Sequence, residues 1–183
     1  TMPELSRVET GGAAPRIVMP RSYNAAHDLI ERNLAAGRAG KVAYLDDDGS
    51  TTFGDLAVRV NRFANALGNL GVRPEERVLV CLLDTIDFPT AFLGSIKAGV
   101  VPIAANTLLT PRDYEFMLRD SRARVLVVSA ALLPAFRPLL GNVASLRHVI
   151  VSGGTGADLP AGALPFGPFV AAGGADFEAA DTT

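Results

Sequence analysis

One cysteine, two histidines and a net charge of −2 in 183 residues leave this chain short of several reactive groups. A single cysteine builds neither a disulfide framework nor a thiolate metal cluster. Cys81 lies inside the apolar run 78–83. Burial there raises a thiol pKa and makes it inert, so Cys81 reads as a core residue rather than a nucleophile. His27 falls in a predicted helix and His148 at the start of a predicted strand. Neither has a Cys or His partner at ligand spacing, so both read as structural and no metal site is expected. The 17 Lys and Arg are interleaved with 19 Asp and Glu and form no basic block, which argues against a nucleic-acid partner. No apolar stretch reaches the ~18 residues of a membrane span. The N-terminus lacks a basic-then-apolar leader. No membrane partner is expected, and the default location is the cytoplasm.

Apolar residues, at 49%, are plentiful and charged ones, at 20%, are few. The length suits one domain or one large piece of a bigger one. A globule of this size buries roughly 70% of its unfolded surface, enough for a core without staples.

Residues 1–22 show no sustained periodicity and read as an extended N-terminal arm. Asn24 can cap a helix running to about Ala36, with Leu29, Ile30 and Leu34 on one face and Gly37 as the stop. Residues 41–45 read as a strand that ends in the turn Asp46-Asp47-Asp48-Gly49. Three carboxylates invite a calcium or magnesium reading, but the alternating ligands, central glycine and distal Glu of a calcium loop are missing, so a solvated hairpin turn is preferred. Thr52-Phe53-Gly54-Asp55 forms a capping box. Leu56, Val60, Phe63, Leu67 and Leu70 then recur at helical spacing until Gly71.

From there strands and helices alternate. The continuous apolar run 78–83 suits a strand buried on both faces of a parallel sheet. A helix over 87–98, a strand over 100–104 and a helix over 111–120 follow, the last with Thr110 as cap, Pro111 at its first position and Asp113 completing the box. A strand over 125–128, a helix over 132–140 stopped by Gly141, and a strand over 149–151 complete the series. This is the spacing of strand–helix–strand units. The expected fold class is α/β, an open doubly wound, mostly parallel sheet with flanking helices. Residues 153–183, rich in Gly, Ala and Pro, read as loop or linker. The expected division is an arm over 1–22, an α/β lobe over 23–152 and a linker over 153–183.

Candidate sites are sparse. Ser152-Gly153-Gly154-Thr155-Gly156 follows a strand, where backbone amides can converge on an anion. No lysine follows, Asp158 would repel phosphate, Pro160 delays any helix, and the dinucleotide spacing is absent, so a plain turn is expected. Ser129 and Ser152 also follow strands, but neither sits in a nucleophile elbow. Asp46, Asp84 and Asp87 are scattered. Arg119, Arg122 and Arg124 read as a solvated helix end. Lys97, in the last turn of its helix, either complements the dipole or meets an anion. The residues alone describe a parallel α/β domain without a visible catalytic constellation. They leave open a stand-alone flavodoxin-like binding module using the loops at Thr85, Asn106, Ser129 and Ser152, or a non-catalytic structural or interaction domain.

A resemblance narrows this. Thr51-Thr52-Phe53-Gly54-Asp55-Leu56 with its long amphipathic helix resembles the first signature of the adenylate-forming acyl-CoA synthetase superfamily. Ile96-Lys97-Ala98-Gly99-Val100-Val101-Pro102 resembles the second, at fitting spacing. The segment from Asn106 to Tyr114 is similar to the aryl-CoA ligase branch, particularly benzoate-CoA ligases, as are the segments from Leu83 to Pro89 and from Arg122 to Val128. The resemblance implies that this is the N-terminal sublobe of a larger enzyme. Such enzymes use ATP and Mg2+ to turn a carboxylate into an acyl-adenylate, releasing pyrophosphate, and then pass the acyl group to coenzyme A. A carboxylate is a poor electrophile, and adenylation supplies its leaving group. The Ser/Thr/Gly-rich loop ending in Lys that holds the nucleotide is expected after residue 183, so no catalytic or metal-binding residue is implied here. Lys97 alone carries an implied contact, to the coenzyme A phosphates. The implied partners are the remainder of the same polypeptide and an aromatic carboxylate, with a homodimer left open.

Overall fold

The computed structural model describes residues 3–154, 156 and 159–182. A short antiparallel hairpin, β1 (Arg7–Glu9) and β2 (Arg16–Val18), precedes α1 (Ala25–Ala35). A second hairpin, β3 (Val42–Asp46) and β4 (Gly49–Thr52), leads into α2 (Phe53–Asn69). Both predicted caps form. Asn24 Oδ1 accepts from the His27 amide at 3.1 Å. Thr52 and Asp55 exchange the two bonds of a capping box.

The central sheet has five parallel strands in the order β6-β5-β7-β8-β9. These are β5 (Arg77–Cys81), β6 (Val101–Ala104), β7 (Val125–Ser129), β8 (His148–Ser152) and β9 (Leu164–Pro165). Between them run α3 (Asp87–Lys97), α4 (Pro111–Ser121) and α5 (Leu133–Phe136), and α6 (Phe166–Ala171) closes the series. Alternation along the strands divides the core. Val78, Val80, Val125, Val127 and Ile150 pack with Phe63 and Leu67 of α2 and with Phe166 and Phe169 of α6. Leu79, Cys81, Leu126, Val128 and Val151 pack with Tyr114 and Leu118 of α4 and Phe136 of α5. Strand residues are thus buried on both faces, as a doubly wound sheet requires. A third cluster joins α1 to α2 and α3 through Ile30, Leu56, Val60 and Leu93.

Four expectations need correction. Leu29 is 48% exposed, and Ile30 alone of that run is fully buried. The helix expected over 132–140 is three short pieces: a 3-10 turn at Ala130–Leu132, α5, and a second 3-10 turn at Arg137–Leu139. Pro134 and Pro138 each occupy the first turn of a new piece. Without an N–H, proline cannot continue the ladder behind it. The tail expected as linker carries β9 and α6, with Phe166, Phe169 and Val170 buried. Those three residues have helical spacing, but their Gly/Ala/Pro surroundings hid it.

The N-terminal arm is the fourth. It carries a hairpin and is tied to α1 rather than simply extended. Asp28, 5% exposed, accepts from the Ser6 amide at 3.1 Å and its hydroxyl at 2.5 Å. Tyr23 Oη at 3.0 Å and the Arg32 guanidinium at 2.6 Å complete its shell. Burial alone would raise the Asp28 pKa. The Ser6, Arg32 and Tyr23 donors outweigh it and hold the carboxyl below its ordinary value. A carboxylate with a depressed folded pKa contributes stability above the unfolded value of ~3.9, and that contribution is lost as pH falls through the folded value. Urea midpoints of the wild-type protein should therefore drop more steeply below about pH 4 than those of Asp28→Asn. Parallel curves would remove Asp28 as the tie.

Candidate functional site

In this strand order the chain turns back between β5 and β7, and in open parallel sheets ligands bind beyond the carboxyl ends of strands at such a point. Here the serines at two of the strand ends bond within the protein. Ser129 Oγ, at the end of β7, accepts from the Leu83 amide at 2.9 Å. Ser152 Oγ, at the end of β8, donates to Asp87 Oδ2 at 2.7 Å. Asp87 Oδ1 pairs with Arg59 Nη2 at 2.7 Å, and Arg59 Nε reaches Thr90 Oγ1 at 3.1 Å. The network Arg59–Asp87–Ser152 ties α2, the first turn of α3 and β8 into one unit.

A cavity of about 180 Å3 lies beside this network, between the β3–β4 hairpin and the β5–α3 turn. Tyr44, Asp46, Asp84, Thr85, Ile86 and Phe88 line it. It falls below the ~300–1,000 Å3 of small-molecule pockets. The Asp46 carboxylate accepts from the amides of Ile86 at 2.8 Å and Asp48 at 3.1 Å. Asp46 thus shapes the predicted turn and anchors the neighbouring loop. Among the described residues no group of three or more His, Cys, Asp or Glu converges as a metal site would.

The remaining candidates also have internal tasks. Thr85 Oγ1 accepts from the Asp87 amide at 3.4 Å. Asn106 Oδ1 accepts from Leu108 at 2.9 Å, and its carbonyl accepts from Tyr114 Oη, also at 2.9 Å. Burial pushes the Cys81 thiol up. It also pushes the Tyr114 phenol up to about 12, with Cys81 adding to the rise. Burial lowers His148 too, helped by Arg124 and Arg147. In the Ser152 to Gly156 run, Thr155 lies outside the described residues, as do Ala157 and Asp158 after it. At Gly154 a side chain would meet Leu159 Cδ2 at 2.9 Å and Val151 Cγ1 at 3.2 Å. That space is filled by the protein itself.

Lys97 lies inside the protein, between α2 and α3. It is 3% exposed, and its Nζ donates to Asn61 Oδ1 at 2.6 Å. Burial pulls its pKa down, opposed by Glu31. The ammonium is engaged between α2 and α3 and faces no open surface, so the geometry supports a structural role over a coenzyme A contact.

What reading the sequence missed is a set of asparagines. Asn65 Nδ2 donates to the carbonyls of Gly174 and Asp176 at 2.9 and 2.8 Å. Asn61 Nδ2 donates to Ala175 at 2.8 Å. Asn24 Nδ2 donates to Ile96 at 2.8 Å and to Ala180 at 2.9 Å. The Ala180 amide returns to the Lys97 carbonyl at 2.9 Å. Together they hold the tail along α2 and α3. No local pattern signals such carboxamide contacts to a distant backbone.

Residues 31–165 match the family described as AMP-binding enzyme. The chain belongs to the AMP-binding enzyme family. Within this AMP-binding family, a benzoate–CoA ligase from Thauera aromatica is 57% identical over 179 residues, 97% of this chain and 33% of the relative. A crystal structure of an anthranilate CoA ligase in complex with anthranoyl-AMP superposes with a TM-score of 0.83 at 39% identity, over 89% of this chain and 30% of that one. A benzoate CoA ligase from Burkholderia xenovorans gives 0.77 at 46% identity, over 88% and 31%. The chain spans about a third of the length of these relatives. Membership leaves the stand-alone module and the interaction-domain readings without support. No helix among the described residues is long and apolar enough to cross a membrane.

Proposed function

We propose that this chain is the N-terminal segment of an AMP-forming aryl-CoA ligase that converts benzoate, ATP and coenzyme A into benzoyl-CoA, AMP and pyrophosphate. The observation that carries the reading is the 57% identity, across nearly the whole chain, to a benzoate–CoA ligase. The closeness of the fold to two aryl-CoA ligases supports it. ATP, Mg2+ and coenzyme A would be required by the whole protein, and a cytoplasmic location fits those substrates.

The residues that the sequence offers as contacts are engaged within the protein. The Ser152 hydroxyl is bonded to Asp87, Gly154 is covered by Leu159 and Val151, and Lys97 is buried. No step of the reaction is therefore assigned to this segment. Its proposed contribution is architectural: a sheet-and-helix lobe against which the nucleotide-binding portion packs. Leu45 and Leu108, exposed at 79% and 89%, suit coverage by further polypeptide.

The test is benzoate-dependent ATP–pyrophosphate exchange. The intact protein is expected to exchange with benzoate, whereas residues 1–183 alone give no signal above buffer. Loss of a single transition-state donor costs about 10²–10³ in rate, and here all of them would be missing. Exchange by the isolated segment, or an intact protein that prefers a long-chain fatty acid to benzoate, would overturn the proposal.

A further inference from the structure

At the opposite, amino-terminal rim of the sheet, three arginines stand side by side. Val78 pairs with Val125 and Val125 with His148, so the preceding residues Arg77, Arg124 and Arg147 are in register across adjacent strands. Their backbones confirm it: the Arg124 amide donates to the Arg77 carbonyl and the Arg147 amide to the Arg124 carbonyl, each at 2.8 Å. Neighbouring strands lie ~4.8 Å apart, and like charges directly opposite one another are unfavourable. Val78 and Val125 face the α2–α6 side. By alternation, Arg77 and Arg124 face the α4–α5 side.

A fourth cation joins them. Arg122 caps α4 in the left-handed conformation at φ 54°. Glycine is the usual residue at such a position, and arginine there is rare. Arg77, Arg122 and Arg124, with Glu76 and Ser145, line a cavity of about 240 Å3.

Neutralisation is incomplete. Glu76 Oε1 pairs with Arg124 Nε at 3.2 Å. Among the described residues the Arg77 side chain donates only to backbone carbonyls, those of Ser121 at 2.6 Å and Glu75 at 3.1 Å. Arg122 and Arg147 are exposed, and among the described residues their side chains make no hydrogen bond or ion pair. Three guanidinium groups against one carboxylate leave the cavity cationic, and planar forks of this kind suit tetrahedral oxyanions. The lowered pKa of His148, due to burial and then to Arg124 and Arg147, reports the same positive field.

We propose that this rim is an anion site for phosphate, free or as part of a diphosphate, with Arg77 and Arg122 as donors. It lies across the sheet from the strand-end loops and does not depend on the ligase reading. Hydrogen–deuterium exchange of the intact protein tests it, comparing inorganic phosphate with chloride at equal ionic strength and pH. Phosphate at ten times its Kd should slow exchange about tenfold across residues 119–125 and 143–148. Arg122→Gly should abolish that protection. The variant removes the guanidinium while relieving the positive-φ backbone, so the fold is retained. A parallel arm with pyrophosphate names the source: stronger protection than by phosphate at equal concentration marks a diphosphate, and equal protection marks a single phosphate. Identical exchange in phosphate and chloride, or protection that survives in Arg122→Gly, overturns the site.

Discussion

Gly173→Ala is expected to destabilise the intact protein by about 3 kcal/mol, at the upper end of overpacking penalties. A β-carbon at Gly173 would lie 2.0 Å from the Arg62 carbonyl oxygen and 2.8 Å from its carbon. The obstacle is the backbone of α2, which cannot swing aside as a side chain would. That stretch of α2 is held in place by Phe63 and Leu67, both fully buried. The tail must therefore lift, and with it go the contacts that Asn61 and Asn65 make to residues 174–176. Urea denaturation measures the cost. Gly167→Ala, where nothing lies within 4 Å of the new carbon, is the control, expected to be neutral or to stabilise by about 0.5 kcal/mol. Equal midpoints for the two variants would mean that the tail is not docked on α2.

Phe63→Ala should cost about 3–5 kcal/mol, the range for truncating a fully buried phenylalanine. Its ring lies 5.8 Å from that of Phe166 and 5.5 Å from that of Phe169, the latter edge-on. On its other side it fills the space above Gly94, where a side chain would approach its Cδ1 to 2.8 Å. Phe63 thus joins α2 to both α3 and α6. Phe116→Ala, at a side chain 67% exposed, should change stability by less than about 0.5 kcal/mol. Amide exchange over residues 166–171 should accelerate in Phe63→Ala and not in Phe116→Ala. If Phe63→Ala costs under about 1 kcal/mol, α6 is not part of the core.

These two positions mark where the sequence was legible and where it was not. The caps at Asn24, Thr52 and Thr110 were readable because each bond spans three residues. The apolar runs of β5, β7 and β8 were readable because burial on both faces demands them. The helix α6 was not. Six residues carry little periodicity, and its stability comes from packing on Phe63, about a hundred positions earlier in the chain. Lys97 showed a related limit. Sequence placed it correctly in the last turn of α3, but its direction was set by Asn61, 36 residues away.

The amino-acid sequence by itself determined α1 to α4, the strands β3 and β5 to β8 and the likeness to a family, since propensity, capping and short-range periodicity act within a few residues. Tertiary structure alone decided the strand order, the docking of the tail by Asn24, Asn61 and Asn65, the engagement of Ser129, Ser152 and Lys97 within the protein, and the alignment of Arg77, Arg124 and Arg147 along one rim. Each of these depends on which distant segments meet, and local pattern carries no record of that.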